Sequence, residues 1–182
     1  MRIITALAIA STFLFVSCDK DDPEDFNDEE LITTVRYALA TADGSTTTIS
    51  FTDTDGDGGN DPVIVGGTLT ANTTYTGSIT LLDESSEDTE DITEEVAEED
   101  TDHQLFFSSD INDLTVTYAD ADSEGNPLGL ATTLTTGDTG TGSITIILRH
   151  EPVKDAAGVA DGDITNADGS TDVQVTIPIT IE

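Results

Sequence analysis

Two histidines and several closely spaced acids are the side chains of this chain best suited to chemistry. Asp53, Asp55 and Asp57 stand at alternate positions in DTDGDGGND, followed by Gly58, Asn60 and Asp61. A glycine turn lets carboxylates at this spacing converge on one hard cation, so the stretch has the front half of a calcium loop. Ile64 stands where the closing bidentate Glu of such a loop belongs, which excludes the full helix-loop-helix form. DADSEGN repeats the idea less regularly with Asp120, Asp122 and Glu124, in a stretch that also suits a hairpin loop. The two histidines lie in acidic settings, EEDTDHQ around His103 and RHEP around His150. By parity His150 continues the inward face of Ile146 and Leu148, with Glu151 beside it. His103 opens a strand after an acidic stretch carrying Glu98 and Glu99. If these strand ends meet, two imidazoles and one or two carboxylates form a ligand set for zinc or another transition metal. The two imidazoles are alternatively the axial pair of a haem. The plainer reading leaves one His closing a strand and the other solvated. Neither G-x-S-x-G nor H-E-x-x-H occurs, and no enzymatic activity is expected.

The elements that must position these groups read as strands. Apolar and polar residues alternate with period two in seven stretches, and the apolar run Leu105–Phe107 adds an eighth candidate strand. Their apolar faces are Leu31/Val35/Tyr37/Leu39, Ile49/Phe51, Tyr75/Ile79/Leu81, Leu105–Phe107, Leu114/Val116/Tyr118, Leu128/Leu130/Leu134, Ile144/Ile146/Leu148 and Val173/Val175/Ile177/Ile179/Ile181. Turn-prone clusters such as ADGS, SEGNP and TGDTGTG separate them. One stretch, DITEEVAEED, reads as a short acidic helix, with Asp91 and Glu94 spaced for an N-terminal cap. The pattern predicts an all-β fold: a single antiparallel, immunoglobulin-like β-sandwich of about eight strands with one short acidic helix. Pro178 cannot donate to a ladder, so the last strand is expected at an edge or with that amide position toward solvent.

The N-terminal end has a different character. Residues 1–17 combine Arg2, an apolar run too short to span a bilayer, and the small residue Ser17, which is the anatomy of a signal peptide. Phe15 to Cys18 resembles a bacterial lipoprotein box, cut before a lipidated cysteine, and Cys18 is the only cysteine of the chain. Acyl chains on Cys18 would hold the protein at a membrane. The acidic run that follows reads as an extended tether, giving three regions: signal peptide 1–17, lipidated cysteine and tether 18–30, and sandwich domain 31–182. Lys20, Asp21 and Asp22 resemble the export signal that directs Bacteroidota lipoproteins to the outer face of the outer membrane. A spacer facing the periplasm is the alternative.

FTDTDGDGGNDPVIVGGTL, NTTYTGSITLLDE, DITEEVAEEDTDHQLFF, GNPLGLATTLTTG and LRHEPVKDAAGVADGDITNADGSTDVQVT together resemble a family of small Bacteroidota lipoproteins. That family is often labelled "type 1 periplasmic binding fold superfamily". The resemblance spans nearly the whole chain after the signal and implies a lipid-anchored envelope protein with no established activity. The label implies two α/β lobes, whereas the length and the all-β patterning imply one sandwich. A net charge of −33 disfavours nucleic acid and anionic surfaces and favours divalent cations or basic partners. The expected role is a non-catalytic binding module on the outer membrane, accessory to metal or nutrient uptake beside an outer-membrane receptor or transporter. The alternative is a calcium-stabilised structural or adhesion module of the envelope.

Overall fold

The computed structural model describes residues 30–56 and 58–182, so Asp57 and residues 1–29, with the expected signal peptide and Cys18, lie outside the described residues. The strands are β1 (Thr34–Ala40), β2 (Thr46–Thr52), β3 (Val63–Val65), β4 (Gly67–Leu69), β5 (Thr74–Asp83), β6 (Glu90–Asp91), β7 (His103–Ser109), β8 (Thr115–Tyr118), β9 (Ala131–Thr135), β10 (Gly140–His150) and β11 (Ser170–Ile181). One helix, α1 (Ile92–Glu98), interrupts them. They form two facing sheets, a seven-stranded one in the order β3-β2-β1-β5-β9-β8 with β6 on β5, and a four-stranded one in the order β4-β11-β10-β7. All eight expected strands are present. β3, β4 and β6, two or three residues each, are additional. Segments that short carry too few alternations to register as a period.

The alternation read from the sequence is the alternation of burial. Val35, Tyr37, Leu39, Ile49, Leu81 and Leu134 from one sheet meet Ile144, Ile146, Leu148 and Ile177 from the other, all fully enclosed. Each such side chain contributes roughly 1.5–3 kcal/mol on burial, and this layer is what holds the sheets together. Leu31, expected on the β1 face, is 60% exposed instead, because β1 begins only at Thr34 and the alternation does not reach it. Chain pairing is antiparallel except for β4 and β11, which run parallel over Ile179–Ile181. β11 is therefore the outer strand of its sheet until Pro178, and β4 covers its edge only beyond that residue. Pro178 pairs with Ser143 on one side and stands just before the β4 ladder on the other, so a residue that cannot donate sits near the sheet edge, as the sequence leads one to expect.

α1 is capped by Asp91, whose carboxylate accepts a hydrogen bond from the Thr93 amide at 3.0 Å. Ile92 and Val96 bury its inner face in the main core. The helix ends at Glu99, four residues before His103, and so delivers the chain to the start of β7. Among the described residues no helix is long and apolar enough to cross a membrane.

Candidate metal centre

His103 is the first residue of β7 and His150 the last of β10, and the antiparallel register makes them direct partners. Both share the inward parity of their strands, His150 with Leu148 and His103 with Leu105, so both imidazoles turn into the end of the sandwich. Their side chains are 0% and 5% exposed. The rings meet edge to face, with centroids 4.7 Å apart at 89°, and His150 Nδ1 lies 3.1 Å from His103 Nε2.

Two carboxylates complete the group, and neither is Glu151. The first comes from β11. Leu148 pairs with Val173 and Arg149 with Thr171, so Asp172 is the extra residue of a β-bulge. A bulge re-aims the side chain it carries. Here it places Asp172 Oδ2 3.9 Å from His103 Nε2, with the carboxylate fully buried. The second carboxylate is Glu30, from the segment before β1. Its Oε1 lies 2.9 Å from His103 Nε2 and its Oε2 3.5 Å from His150 Nδ1, with 4% of the side chain exposed. The Oε2 atom accepts no hydrogen bond from the described residues.

Glu30, His103, His150 and Asp172 can each offer one ligand atom, and those atoms all lie within 4.8 Å of one another. A tetrahedral zinc with bonds of about 2.0–2.1 Å needs donors about 3.3 Å apart, and the separations found here straddle that value. The outer contacts suit a metal as well. His103 Nδ1 donates to the Glu99 carbonyl at 3.2 Å. Because a carbonyl only accepts, this bond puts a proton on Nδ1 and turns Nε2, the nitrogen a metal would take, toward the group. Two buried carboxylates then converge beside two imidazoles, an arrangement that a cation relieves. The surrounding field has the same sense. The Glu95 carboxyl is pushed up first by burial and then by the charges of Glu30, Glu99 and Glu90.

Several expected site residues are placed otherwise. Glu151 is exposed, sits in the left-handed region at φ 51°, and gives its amide to the Asp102 carbonyl, so it is not part of the group. The left-handed backbone at Glu151, where the long connection from β10 to β11 begins, turns it away from His150. The helix acids give the site a backbone carbonyl, that of Glu99, in place of a carboxylate. Two imidazole nitrogens 3.1 Å apart also leave no space for a haem, whose iron needs them on opposite faces about 4 Å apart, twice an ordinary metal–imidazole bond.

The calcium-type loop is built as a turn. Asp53 Oδ1 accepts from the Gly56 amide at 2.9 Å, and Asp55 Oδ2 accepts from the Asn60 amide at 3.0 Å and its side chain at 2.5 Å. These bonds hold the Asp55 carboxyl below its ordinary range, the Asn60 backbone contributing most. Among the described residues Asp53, Asp55 and Asp61 do not converge. In the second acidic stretch, Asp120 accepts from the Gly129 and Ala131 amides at 2.8 and 2.7 Å. Asp122 accepts from Lys154 Nζ at 2.8 Å and from the Glu124 and Asn126 amides. Lysine already supplies the cation that a metal was expected to supply, and Glu124 points to solvent. Asp120, Asp122 and Glu124 are thus loop-fixing groups and not a cation site.

No family model matches the chain, and no curated protein matches it. Among solved structures the chain is similar to domains 4 and 5 of the S-layer protein SbsC, with a TM-score of 0.33 and 14% identity, over 82% of this chain and 70% of that one. The likeness is distant, and the sandwich is read from its own strands.

Proposed function

We propose that this chain is a non-catalytic structural module of the cell envelope, carried on a lipid-anchored acidic tether at the outer membrane surface, that holds one divalent transition metal as a permanent part of its fold. One observation carries the metal reading: four donors from four separate segments meet within 4.8 Å, and their side chains are 0–5% exposed. Metal sites that serve structure are closed by four protein ligands, whereas sites that react or exchange keep a position open. Capture for delivery to a receptor calls for the open kind, so the closed group supports the structural role over uptake. Two imidazoles with two carboxylates suit zinc or a similar ion, whereas calcium takes six to eight oxygens. The metal thus takes the stabilising place that calcium held in the sequence reading. A cavity of about 590 Å³ lined by Leu31, Phe51, Asp53, Asp55, Asp172 and Val173 lies beside the group and is acidic in part. The location rests on Cys18, the signal-like residues 1–17 and the acidic run after them.

The test is metal content and binding. The full chain purified in detergent should carry close to one zinc per molecule or take it up on titration, and cobalt in its place should give the intense visible bands of a tetrahedral site. His103→Ala, His150→Ala and Asp172→Asn should each weaken binding, and Glu151→Ala should leave it unchanged. Absence of stoichiometric binding of either metal would end the reading.

A further inference from the structure

We propose that the metal is also the fastening between the anchor-side segment and the sandwich, so that metal occupancy sets how the module stands on its tether. This rests on the metal reading above and concerns what the fourth ligand does. Three ligands are fixed by the sheet irrespective of any ion: His103 and His150 as paired residues of β7 and β10, and Asp172 by the bulge in β11. Glu30 differs. It lies before β1, on a segment assigned to no strand, and its neighbour Leu31 is 60% exposed. Backbone pairing of this segment begins at Thr33, whose amide donates to Leu82 and whose carbonyl accepts from Asp53. Ile32 packs against the main core, so the conditional attachment is that of Glu30 and Leu31. Among the described residues the buried contacts of Glu30 are those of its carboxylate with the two imidazoles.

Charge makes this attachment conditional. Residues 19–29 hold seven acids and one lysine, and the whole chain carries −33. Such a run repels itself and the sandwich, which pulls Glu30 outward. Glu30 also shares its pocket with the buried carboxylate of Asp172. A divalent cation bound by both turns this repulsion into a joint attraction. With metal, the sandwich is held from Glu30 onward. Without it, Glu30 and Leu31 join the tether and lengthen it by about 7 Å, at 3.3–3.6 Å per extended residue. Ile32 stays packed on the core, and Thr33 stays paired with Leu82 and Asp53. The device is a metal-dependent clasp placed 12 residues after Cys18, the candidate lipid anchor.

Hydrogen exchange on the full chain in detergent micelles, with and without one equivalent of zinc, tests the clasp. Zinc should slow exchange at the amides of Leu31 and Ile32 by roughly tenfold or more, in the manner of any locally closed segment, while the amides of β5, which carries no ligand, serve as the internal reference. Glu30→Gln should abolish that slowing. It should still bind cobalt through His103, His150 and Asp172, with affinity reduced at least by the ~10–100-fold typical of losing a supporting group. If zinc binds by the cobalt and titration measurements yet Leu31 and Ile32 exchange at the same rate, the clasp is wrong and the metal centre stands. The same follows if Glu30→Gln retains the slowing. If no zinc binds, both ideas fail together.

Discussion

Lys154 offers the sharpest test of how the loops around the centre are held. Its side chain is 5% exposed, and its ammonium donates to Asp122 Oδ2 at 2.8 Å, to the Asp100 carbonyl at 2.6 Å and to the Pro127 carbonyl at 3.4 Å. Lys154→Met keeps most of the aliphatic volume and removes the charge. It leaves Asp122 buried without its cation and two carbonyls without their donor. Removing one partner of a buried pair costs about 3–5 kcal/mol. The low end is expected here, because Asp122 retains the Glu124 and Asn126 amides at 3.0 and 2.7 Å. For a domain near 150 residues, about 2–4 °C of melting temperature accompanies each kcal/mol, so the loss is roughly 6–12 °C. The effect must also depend on pH. Burial raises the Asp122 carboxyl, but Lys154 and the two amides outweigh it, so its folded pKa lies below the ordinary value. A depressed carboxylate stabilises the fold above about pH 4, its unfolded pKa, and this contribution is lost as pH falls through the folded value. The wild-type and Lys154→Met melting curves should therefore differ most near neutrality and approach each other under acid. A neutral-pH loss below about 1 kcal/mol, or a gap constant from pH 7 to pH 3, would refute the assignment of this pair.

Tyr37 is enclosed between the sheets, where burial pushes its hydroxyl up to about 12 against the opposing hydrogen bond with Thr132 at 2.7 Å. A raised tyrosine stabilises the fold below the unfolded value near 10 and loses that contribution toward 12, so a two-unit shift removes about 2.7 kcal/mol across that window. Absorbance titration should show Tyr37 ionising late, with alkaline melting shifted upward in Tyr37→Phe relative to wild type above pH 10. Gly77→Ala should destabilise by about 1–3 kcal/mol in denaturant unfolding, because an added methyl would meet Tyr37 Cε2 at 2.6 Å and the Thr132 hydroxyl in a closed core.

The sandwich was legible because each long strand buries one face and exposes the other. Ile144, Ile146 and Leu148 state that parity plainly, and extending it by two residues turns His150 inward. The same count from Leu105 turns His103 inward. Two buried histidines at strand ends were thus readable one by one. Their pairing was not, because antiparallel register between β7 and β10 depends on contacts 47 residues apart in sequence. Asp172 was illegible for a sharper reason. Parity with Val173 sends it outward, and only the bulge, which has no residue signature here, returns it to the site. Glu30 looked like the last acid of a tether. The acidic loops misled in the opposite direction. Alternating Asp with Gly and Asn serves a turn as well as a calcium site, because both need oxygens aimed at nearby positive groups. Asp55 spends its oxygen on Asn60, and Asp122 on Lys154.

These placements give residues 99–102 a particular importance. Glu99 ends α1, and its carbonyl orients His103. One residue on, the Asp100 carbonyl accepts from Lys154, and its carboxylate accepts from the Ser123 amide at 2.9 Å and hydroxyl at 3.0 Å. Asp102 accepts from the Glu151 amide, at the turn that leaves His150. One short loop is thus pinned by a helix end, by the only buried lysine among the described residues, and by the turn beyond β10. Each attachment fixes the backbone beside an imidazole without touching the donor atoms themselves. A metal site needs its ligands held within fractions of an ångström, and ligands carried on strand ends are free on one side. The loop supplies the missing constraint on that side. The buried lysine therefore belongs to the centre's support as much as to the stability of the loops, and two cations, Lys154 and the proposed metal, hold the same end of the sandwich from neighbouring positions.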